Sequence, residues 1–359
     1  MTPLVTFTLS PVRPSKEYRM RRTRVVCFGE LLLRLGAPGR ELLLQSPRLD
    51  VHIGGAEANV AVSLAHFGHE VAQIGTVADN PLGAAAMGEL RRHGVDTSRM
   101  REVPGRMGLY FLTTGAGHRA SEVVYDRADS AFALARPTDY DWSELLDGAD
   151  WLHLSGVSPA LGPEAAQATI EAARAARARG VRVSFDGNFR PKLWQRWQGD
   201  AQAVLRELFA YADIVFADYR DIGVVLGGEF PQEDVRERVR AAAAMAFAAF
   251  PQLRWMACTQ RATLSVDHHS LGAMLLGSDG TEAQAPAESV TGIVDRIGGG
   301  DAFAAGVLHG LIEGRGAEGA VRFGLAAACL KHTIPGDFNP VTVAEVEALI
   351  GEGRFDVRR

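Results

Sequence analysis

Three consecutive glycines, Gly298, Gly299 and Gly300, run directly into Asp301 and a segment of small, helix-forming residues. A helix that begins near Asp301 leaves backbone N–H groups free in its first turn and directs the positive end of its dipole there. Because glycine has no Cβ, the backbone before the helix can approach an anion closely. The run therefore predicts an anion cradle with a carboxylate at its mouth, the minimum equipment for phosphoryl transfer to a hydroxyl. A tight turn with Asp301 as a helix cap fits the same residues.

A second glycine pair, Gly54 and Gly55, precedes a predicted helix that carries Asn59. Small residues let a ligand approach the helix start, and the amide of Asn59 offers a donor and an acceptor to a polyol. Two glycines before a helix are also ordinary for a turn. Alone, this motif indicates a ligand site only weakly.

Polar residues also follow predicted strands. Asp186, Asn188 and Arg190 come directly after Val181–Phe185. The carboxyl ends of strands are where open α/β sheets place ligand-binding side chains, and an arginine there can make a bidentate contact with a carboxylate. A surface loop with a salt bridge explains this loop equally well.

Two more strand ends carry charged residues. Asp218 and Asp221 follow Ile214–Ala217, and Thr259 and Arg261 end another strand. Two carboxylates at helical spacing could orient Mg²⁺ through water, the usual manner for magnesium beside phosphates. A pair of helix-capping acids is the alternative. Arg261 is expected near phosphates.

Alternating strand and helix patterns predict an α/β fold with a parallel sheet and crossover helices. The predicted strands are Arg24–Phe28, Glu70–Thr76, Trp151–Ser155, Val181–Phe185, Ile214–Ala217, Trp255–Thr259 and Gly272–Leu276. The predicted helices are Ala58–Phe67, Pro81–His93, Pro163–Arg179, Asp200–Tyr211, Asp234–Phe250, Ala302–Glu313, Ala317–His332 and Val343–Ile350.

Two strand pairs interrupt this rhythm, within about residues 31–53 and 108–126. The second pair reads as a hairpin with Tyr110 on one strand and Tyr125 on the other, followed by Arg127. Such strands could form a small sheet over the ligand-binding edge, closing Tyr and Arg side chains over a polar ligand. A cross-strand aromatic pair without a ligand role is the alternative.

Composition narrows the class of protein. The 359 residues carry a net charge of −5 and 47% hydrophobic residues, which is typical of a globular enzyme and disfavours nucleic acid as a partner. No apolar run of about 18 residues predicts a membrane span, and three scattered cysteines indicate neither a zinc site nor disulfides, so a cytoplasmic location is expected. Residues 1–22 are interpreted as a disordered or non-native extension before one domain over 23–359.

Several common motifs are absent. The chain has no GxxxxGK followed by Ser or Thr, which excludes a P-loop kinase, and no GxGxxG after the first strand, which disfavours a nicotinamide oxidoreductase. HExxH and GxSxG are also missing. The pair His268 and His269 is interpreted as a solvated turn.

Taken together, these motifs show that the chain, from about Arg24 onward, resembles the ribokinase-like (PfkB) carbohydrate kinases. The run from Gly54 to Asn59 resembles the N-terminal signature of that family, and the run from Asp295 to Asp301 its C-terminal signature. Within the family, the chain most resembles 2-keto-3-deoxygluconate kinases. The stretches that carry this closer resemblance are 28–35, 124–128, 153–156, 186–194 and 331–337.

The resemblance implies a three-layer αβα fold with a small β-sheet lid, and a role for each motif. Asp301 would deprotonate the sugar hydroxyl, and the N–H groups of Gly298, Gly299 and Gly300 would form the anion hole. The residues expected to hold the sugar acid are Gly54, Gly55, Asn59, Tyr110, Tyr125, Arg127, Asn188 and Arg190. Those expected at the nucleotide are Asp218, Thr259, Arg261, Gly298 and Gly300. Asp221 would hold Mg²⁺ through water.

The expected reaction is transfer of phosphate from ATP to the terminal hydroxyl of 2-keto-3-deoxygluconate, giving the 6-phosphate and ADP. Mg²⁺ is the expected cofactor, with room for a monovalent cation, and a homo-oligomer formed through the lid is expected. Fructose, ribose and 2-keto-3-deoxygalactonate are alternative substrates, and a sugar-binding relative without turnover is the alternative from another class. Arg296 and Gly299 depart from the Thr and Ala of the broader family signature, and Asp218 and Asp221 from its usual Asn and Glu.

Overall fold

The computed structural model of the chain describes residues 22–351, so the predicted extension over residues 1–22 lies, except for Arg22, outside the described residues. Within the described range the strands are β1 (Arg24–Phe28), β2 (Leu32–Gly36), β3 (Asp50–Gly54), β4 (Glu70–Ile74), β5 (Thr76–Ala78), β6 (Arg101–Val103), β7 (Gly108–Thr113), β8 (Glu122–Asp126), β9 (Trp151–Ser155), β10 (Arg182–Asp186), β11 (Ile214–Phe216), β12 (Trp255–Ser265), β13 (His268–Gly277) and β14 (Glu282–Thr291). The helices are α1 (Ala56–His66), α2 (Pro81–Arg92), α3 (Trp142–Leu145), α4 (Pro163–Ala178), α5 (Pro191–Trp197), α6 (Ala201–Phe209), α7 (Tyr219–Leu226), α8 (Val235–Ala249), α9 (Gly299–Ile312), α10 (Gly316–Lys331) and α11 (Val343–Gly351).

The main sheet has eight strands in the order β14-β13-β12-β11-β10-β9-β1-β4. The six strands from β12 to β4 are parallel, and β13 and β14 extend the sheet antiparallel. Alternate residues of β1 enter different cores: Val25 and Cys27 pack with α1, α2, α9 and α10, whereas Val26 and Phe28 pack with α4, α6, α7 and α8. Because both faces are covered, the fold has three layers and the parallel strands are apolar along their length. The predicted fold class is confirmed.

A second, four-stranded sheet has the order β3-β2-β7-β8. β2 pairs antiparallel with β3 and parallel with β7, and β7 forms the predicted hairpin with β8. In this register Arg34, Tyr110 and Tyr125 are neighbours across three strands. Successive side chains of a strand point to opposite faces, so these three share one face of the small sheet.

Two regions differ from what the sequence pattern predicts, namely β14 and the start of β13. β14 carries Pro286 within a mostly exposed segment, which is tolerated because this strand lies at the sheet edge and its pairing with β13 is irregular there. The prediction of a solvated turn at His268 and His269 is wrong. Both residues begin β13, and His269 is buried, 6.2 Å between ring centroids from His332. No helix within residues 22–351 is long and apolar enough to cross a membrane.

Helix α9, which begins at the glycine run, packs against α10 through glycines. A Cβ built on Gly306 would lie 2.7 Å from the Cα of Gly324. Since that neighbour is backbone, it cannot rotate away, and the two helices would have to separate. The close approach of α9 and α10 therefore depends on the absence of a side chain at Gly306.

We expect the Gly306→Ala substitution to lower the free energy of unfolding by about 1–3 kcal/mol through overpacking, measured by urea denaturation. Gly88→Ala in α2 is the matched control, because a Cβ there would meet only Arg91 Nη2, at 3.8 Å. Replacing a helix-interior glycine at such a site is expected to stabilise the protein by roughly 0.5–1 kcal/mol. Equal effects of the two substitutions would contradict close packing of the helices at Gly306.

Candidate active site

A cavity of about 920 Å³ lies between the carboxyl ends of the main-sheet strands and the inner face of the small sheet. Most of the predicted site residues line it, namely Gly55, Asn59, Tyr110, Tyr125, Arg127, Asn188, Arg190, Asp218, Asp221, Arg261, Gly298, Gly300 and Asp301. Gly54, Gly299 and Thr259 do not line it. Motifs that are distant in sequence therefore meet at the edge where α/β folds bind ligands.

The glycine run forms the start of α9. Gly298 is the N-cap, with a φ of 81° that favours glycine, and the helix begins at Gly299 rather than at Asp301. Among the described residues, no acceptor is present for the N–H groups of Gly298, Gly300 and Asp301. The N–H of Gly299 instead donates to the carbonyl of Arg296 at 3.3 Å. The groups available to an anion thus differ from the predicted set, with Asp301 taking the place of Gly299.

The Asp301 carboxylate lies in the first turn of α9 and accepts a hydrogen bond from Asn59 Nδ2 at 2.6 Å. It is therefore not the helix cap of the alternative interpretation. Burial raises the pKa of Asp301 to about 7, and the Asn59 hydrogen bond opposes that rise. The Oδ1 atom of Asn59 is buried without a partner among the described residues. A carboxylate of this pKa can accept a proton near neutrality.

Three carboxylates, those of Asp186, Asp221 and Asp301, interact at this end of the cavity. The pKa of Asp186 is raised well above its usual value by burial and by the charges of Asp301 and Asp221. Burial, followed by the charge of Asp218, raises the pKa of Asp221 to about 6. A divalent cation would relieve this mutual repulsion. Carboxylate oxygens beside a nucleotide are donors that suit Mg²⁺ held partly through water.

Asp218 and Asp221 also cap α7. The Asp218 carboxylate accepts from Arg220 N at 2.7 Å, and Asp221 Oδ2 accepts from Asp218 N at 2.9 Å. The interpretation of this pair as helix-capping acids is therefore confirmed. It does not exclude a ligand role, because both residues also line the cavity.

Three arginine side chains, those of Arg220, Arg261 and Arg296, also line the cavity. Burial, followed by the charges of Arg296 and Arg220, lowers the pKa of Arg261. Arg220 is paired with Asp218 through its Nε at 2.9 Å, whereas the repulsion between Arg261 and Arg296 favours an anion such as a polyphosphate beside them. Arg220 and Arg296 are absent from the predicted site.

Arg127 and Arg190 differ in burial and in whether a carboxylate of the protein already pairs with them. Arg127 is buried, and its Nε donates to Glu30 Oε2 at 2.6 Å, so part of its charge is already neutralised. Arg190 is exposed, and its side chain donates to the carbonyl of Phe189 at 3.2 Å. Arg190 is therefore the more available partner for a ligand carboxylate.

A buried network that the sequence analysis missed underlies the cavity. Arg34 of β2 contacts Asp295 Oδ2 through Nη2 at 2.6 Å and Asp337 Oδ1 through Nε at 3.2 Å. Tyr110 donates to Asp337 Oδ2 at 2.7 Å, which occupies the hydroxyl hydrogen expected to serve a ligand. A charged residue inside the apolar run Leu31–Leu35 is the sequence signal that could have revealed it.

Glycines make room for buried carboxylates around the cavity. A Cβ at Gly54 would lie 2.3 Å from Asp337 Oδ2, so Gly54 accommodates Asp337 and does not itself line the cavity. The same relation holds for Gly108 with Glu30 and for Gly29 with Glu57. Glu57 in turn accepts hydrogen bonds from Ser155 Oγ at 2.8 Å and Ser158 Oγ at 2.7 Å.

The chain is similar to known sugar-acid kinases over most of its length. The sequence profile of the pfkB family carbohydrate kinases matches residues 22–343. A Haloferax volcanii protein named 2-dehydro-3-deoxygalactonokinase is 33% identical over 93% of this chain and 99% of its own. A Bacillus subtilis protein named 2-dehydro-3-deoxygluconokinase is 28% identical, over 89% and 93% respectively.

Among solved structures, the 2-dehydro-3-deoxygluconokinase of Thermotoga maritima aligns with a TM-score of 0.87 at 38% identity, covering 92% of this chain and 100% of that one. The profile match spans nearly all of the described residues, and it includes both glycine motifs that border the cavity. The chain therefore belongs to the PfkB family of carbohydrate kinases.

Proposed function

We propose that this kinase transfers the γ-phosphoryl group of ATP to the terminal hydroxyl of 2-keto-3-deoxygluconate, giving the 6-phosphate and ADP. The observation that carries the proposal is the Asp301 carboxylate beside free N–H groups at the start of α9, in a cavity that also contains Arg190. A base and an anion cradle are the parts required for phosphoryl transfer, and an arginine suits a sugar acid. The names of the relatives from Bacillus subtilis and Thermotoga maritima support this substrate.

In the proposed reaction, the sugar hydroxyl loses its proton to Asp301 as its oxygen bonds to the γ-phosphorus. The bond from that phosphorus to the β,γ-bridging oxygen breaks, and ADP leaves with the electron pair. The N–H groups of Gly298, Gly300 and Asp301 would receive the phosphoryl oxygens, whose charge rises during transfer. Mg²⁺, when bound, neutralises phosphate charge; Asp186 and Asp221 are the groups that would hold it through water. Arg261, Arg296 and Asp218 would lie along the nucleotide.

At the sugar end, Arg190 and Arg127 would contact the carboxylate and keto group, which presents the far hydroxyl to Asp301. The side-chain oxygens of Asn59 and Asn188 are buried without partners among the described residues, as expected of groups that await substrate hydroxyls. Tyr110 and Tyr125 close the cavity from the small sheet. Exclusion of water by this sheet would protect ATP from hydrolysis.

The second candidate substrate is 2-keto-3-deoxygalactonate, favoured by the name of the Haloferax volcanii relative. The two acids share their carboxylate and terminal hydroxyl and differ at one carbinol centre. Both fit the charges of the cavity. Fructose and ribose lack the carboxylate that would pair with Arg190.

The formation of a homo-oligomer through the small sheet stays a prediction. The outer face of the small sheet supports this prediction. Val51, Leu35, Phe111 and Val124 are register neighbours across all four strands, on the face opposite Arg34 and Tyr110. Val51 and Val124 are 57% and 48% exposed. A row of apolar side chains in water favours contact with a second copy.

The proposed substrate is tested by ADP release with a panel of sugars at saturating ATP and Mg²⁺. We expect kcat/KM for the two 2-keto-3-deoxy sugar acids to exceed that for fructose and ribose at least tenfold, because only the acids can pair with Arg190. Comparison of the two acids decides the epimer. Preference for a neutral sugar would refute the proposal, and no ADP release with any sugar would favour a binding protein.

We expect Asp301→Asn to lower kcat by about 10²–10⁴-fold with little change in the KM for ATP, because the amide cannot accept the proton. A base acts when deprotonated, so a pKa raised to about 7 predicts that kcat/KM of the native enzyme falls as pH drops below about 7. Asp200→Asn is the control, since Asp200 caps α6 on the surface and asparagine caps equally well. Near-normal turnover of Asp301→Asn would remove the base role.

We expect Arg190→Ala to raise the KM for a sugar acid about tenfold or more while hardly changing the KM for a neutral sugar, because a charge-assisted pair is lost only with the acid. Steady-state kinetics on both sugars measure the difference. Arg196→Ala is the control, because Arg196 is exposed on α5 and does not line the cavity. Equal losses on both sugars would exclude Arg190 from carboxylate recognition.

A further inference from the structure

Lys331, the last residue of α10, is 0% exposed although it carries an ammonium group. A buried charge is costly unless hydrogen bonds and opposite charges compensate it. Its Nζ donates to the carbonyl oxygen of Ile334 at 2.9 Å and to that of Asp295 at 3.4 Å. The first carbonyl belongs to the loop after α10 and the second to the loop before α9. The ammonium therefore joins these two loops.

These two loops form the back of the glycine cradle. The side chain of Lys331 runs against Gly298: a Cβ on that glycine would lie 3.3 Å from Lys331 Cε and 2.0 Å from the Asp337 carbonyl oxygen. Gly298 is the N-cap of α9, and the free N–H groups of Gly300 and Asp301 follow it directly. Lys331 thus supports the cradle from the side away from the cavity, and it is absent from the cavity lining.

The charges around Lys331 keep it a cation. Burial lowers its pKa to about 8, and Arg34 acts in the same direction, whereas Asp295, Asp337 and Asp301 oppose the change. The adjacent His332 has a pKa lowered by burial and is neutral near pH 7. With a pKa of about 8, most of the Lys331 population is protonated at neutral pH.

We propose that the Lys331 ammonium is a built-in monovalent cation, which fixes the Asp295 and Ile334 loops behind the cradle and makes turnover independent of potassium or sodium. An ammonium bonded to backbone carbonyl oxygens takes the place that a bound K⁺ or NH₄⁺ ion would fill with the same oxygen donors. Its positive charge lies behind the N–H groups that receive the phosphoryl group, where negative charge develops during transfer. Lys331 is a positioning residue, since it acts through Gly298 and its loops.

This inference depends on the proposed kinase activity, and the native enzyme tests it first. ADP release is measured with the sugar acid and Mg²⁺-ATP in a buffer whose cation is tetramethylammonium, with and without added K⁺, Na⁺ or NH₄⁺. We expect rates that agree within about twofold across these conditions. Activation of tenfold or more by K⁺ would overturn the inference while leaving the proposed function intact. No activity under any condition would instead count against the proposed function.

Two substitutions separate charge from packing. Lys331→Met keeps the length of the side chain without its charge, and we expect kcat to fall about 100-fold, comparable to loss of one donor to a developing oxyanion, with a smaller change in KM for ATP. Lys331→Ala leaves space beside the two carbonyls, so we expect a similar loss that K⁺ or NH₄⁺ partly restores. Lys192→Met, an exposed lysine on α5, is the control for both.

The thermal unfolding midpoint of each variant shows whether it folds. Folded Lys331→Met with native kcat would overturn the inference. So would a folded Lys331→Ala variant whose loss no cation reverses, because Lys331 would then only hold the loops by packing. If both variants fail to fold, the cation independence of the native enzyme alone decides.

Discussion

The candidate site depends on one buried ion pair network, that of Arg34 with Asp295 and Asp337. Arg34 belongs to the small sheet, Asp295 to the loop before α9, and Asp337 to the loop after α10. A single guanidinium thereby joins the small sheet to the two loops next to the start of α9. Removing one partner from a buried pair of this kind typically costs about 3–5 kcal/mol, because the other charge stays buried and uncompensated. Because burying these charges also costs their desolvation, the network adds less net stability than that loss suggests, and its main effect is to fix the relative positions of the three segments.

The carboxylates around this network differ in the number and type of hydrogen-bond donors that they face. Asp295 accepts from Arg34 and, at 3.0 Å each, from the backbone N–H groups of Ile297 and Gly336, so its donors tie together three segments of the chain. Asp301 has one amide donor, and burial raises its pKa to about 7. Two aspartates six residues apart thus have different surroundings because their hydrogen-bond donors differ. The same contrast separates Arg127, which is paired with Glu30, from the exposed Arg190.

Glycines near the cavity act in two physical ways. Gly298 supplies a left-handed backbone at the N-cap of α9, and its lack of a side chain lets the Asp337 carbonyl oxygen approach closely. Gly54 and Gly108 instead leave room for the carboxylates of Asp337 and Glu30. The second role is invisible in the sequence, because the carboxylate that fills the space comes from a distant segment. Gly54, which is predicted to hold the sugar acid, makes room for Asp337 in this way and does not line the cavity.

The sequence by itself determined the α/β class, most element positions, and most of the residues that meet in the cavity, because hydrophobic periodicity and local glycine motifs are short-range signals. The glycine run before Asp301 indicated a helix start and an anion cradle before any contact was known. Tertiary structure alone decided which N–H groups are free, that the Tyr110 hydroxyl serves Asp337, and that Lys331 lies behind Gly298. The last two depend on partners more than 30 residues away, as with Lys331 and Asp295, 36 positions apart. No local pattern encodes such a pairing, since only folding brings the two segments together.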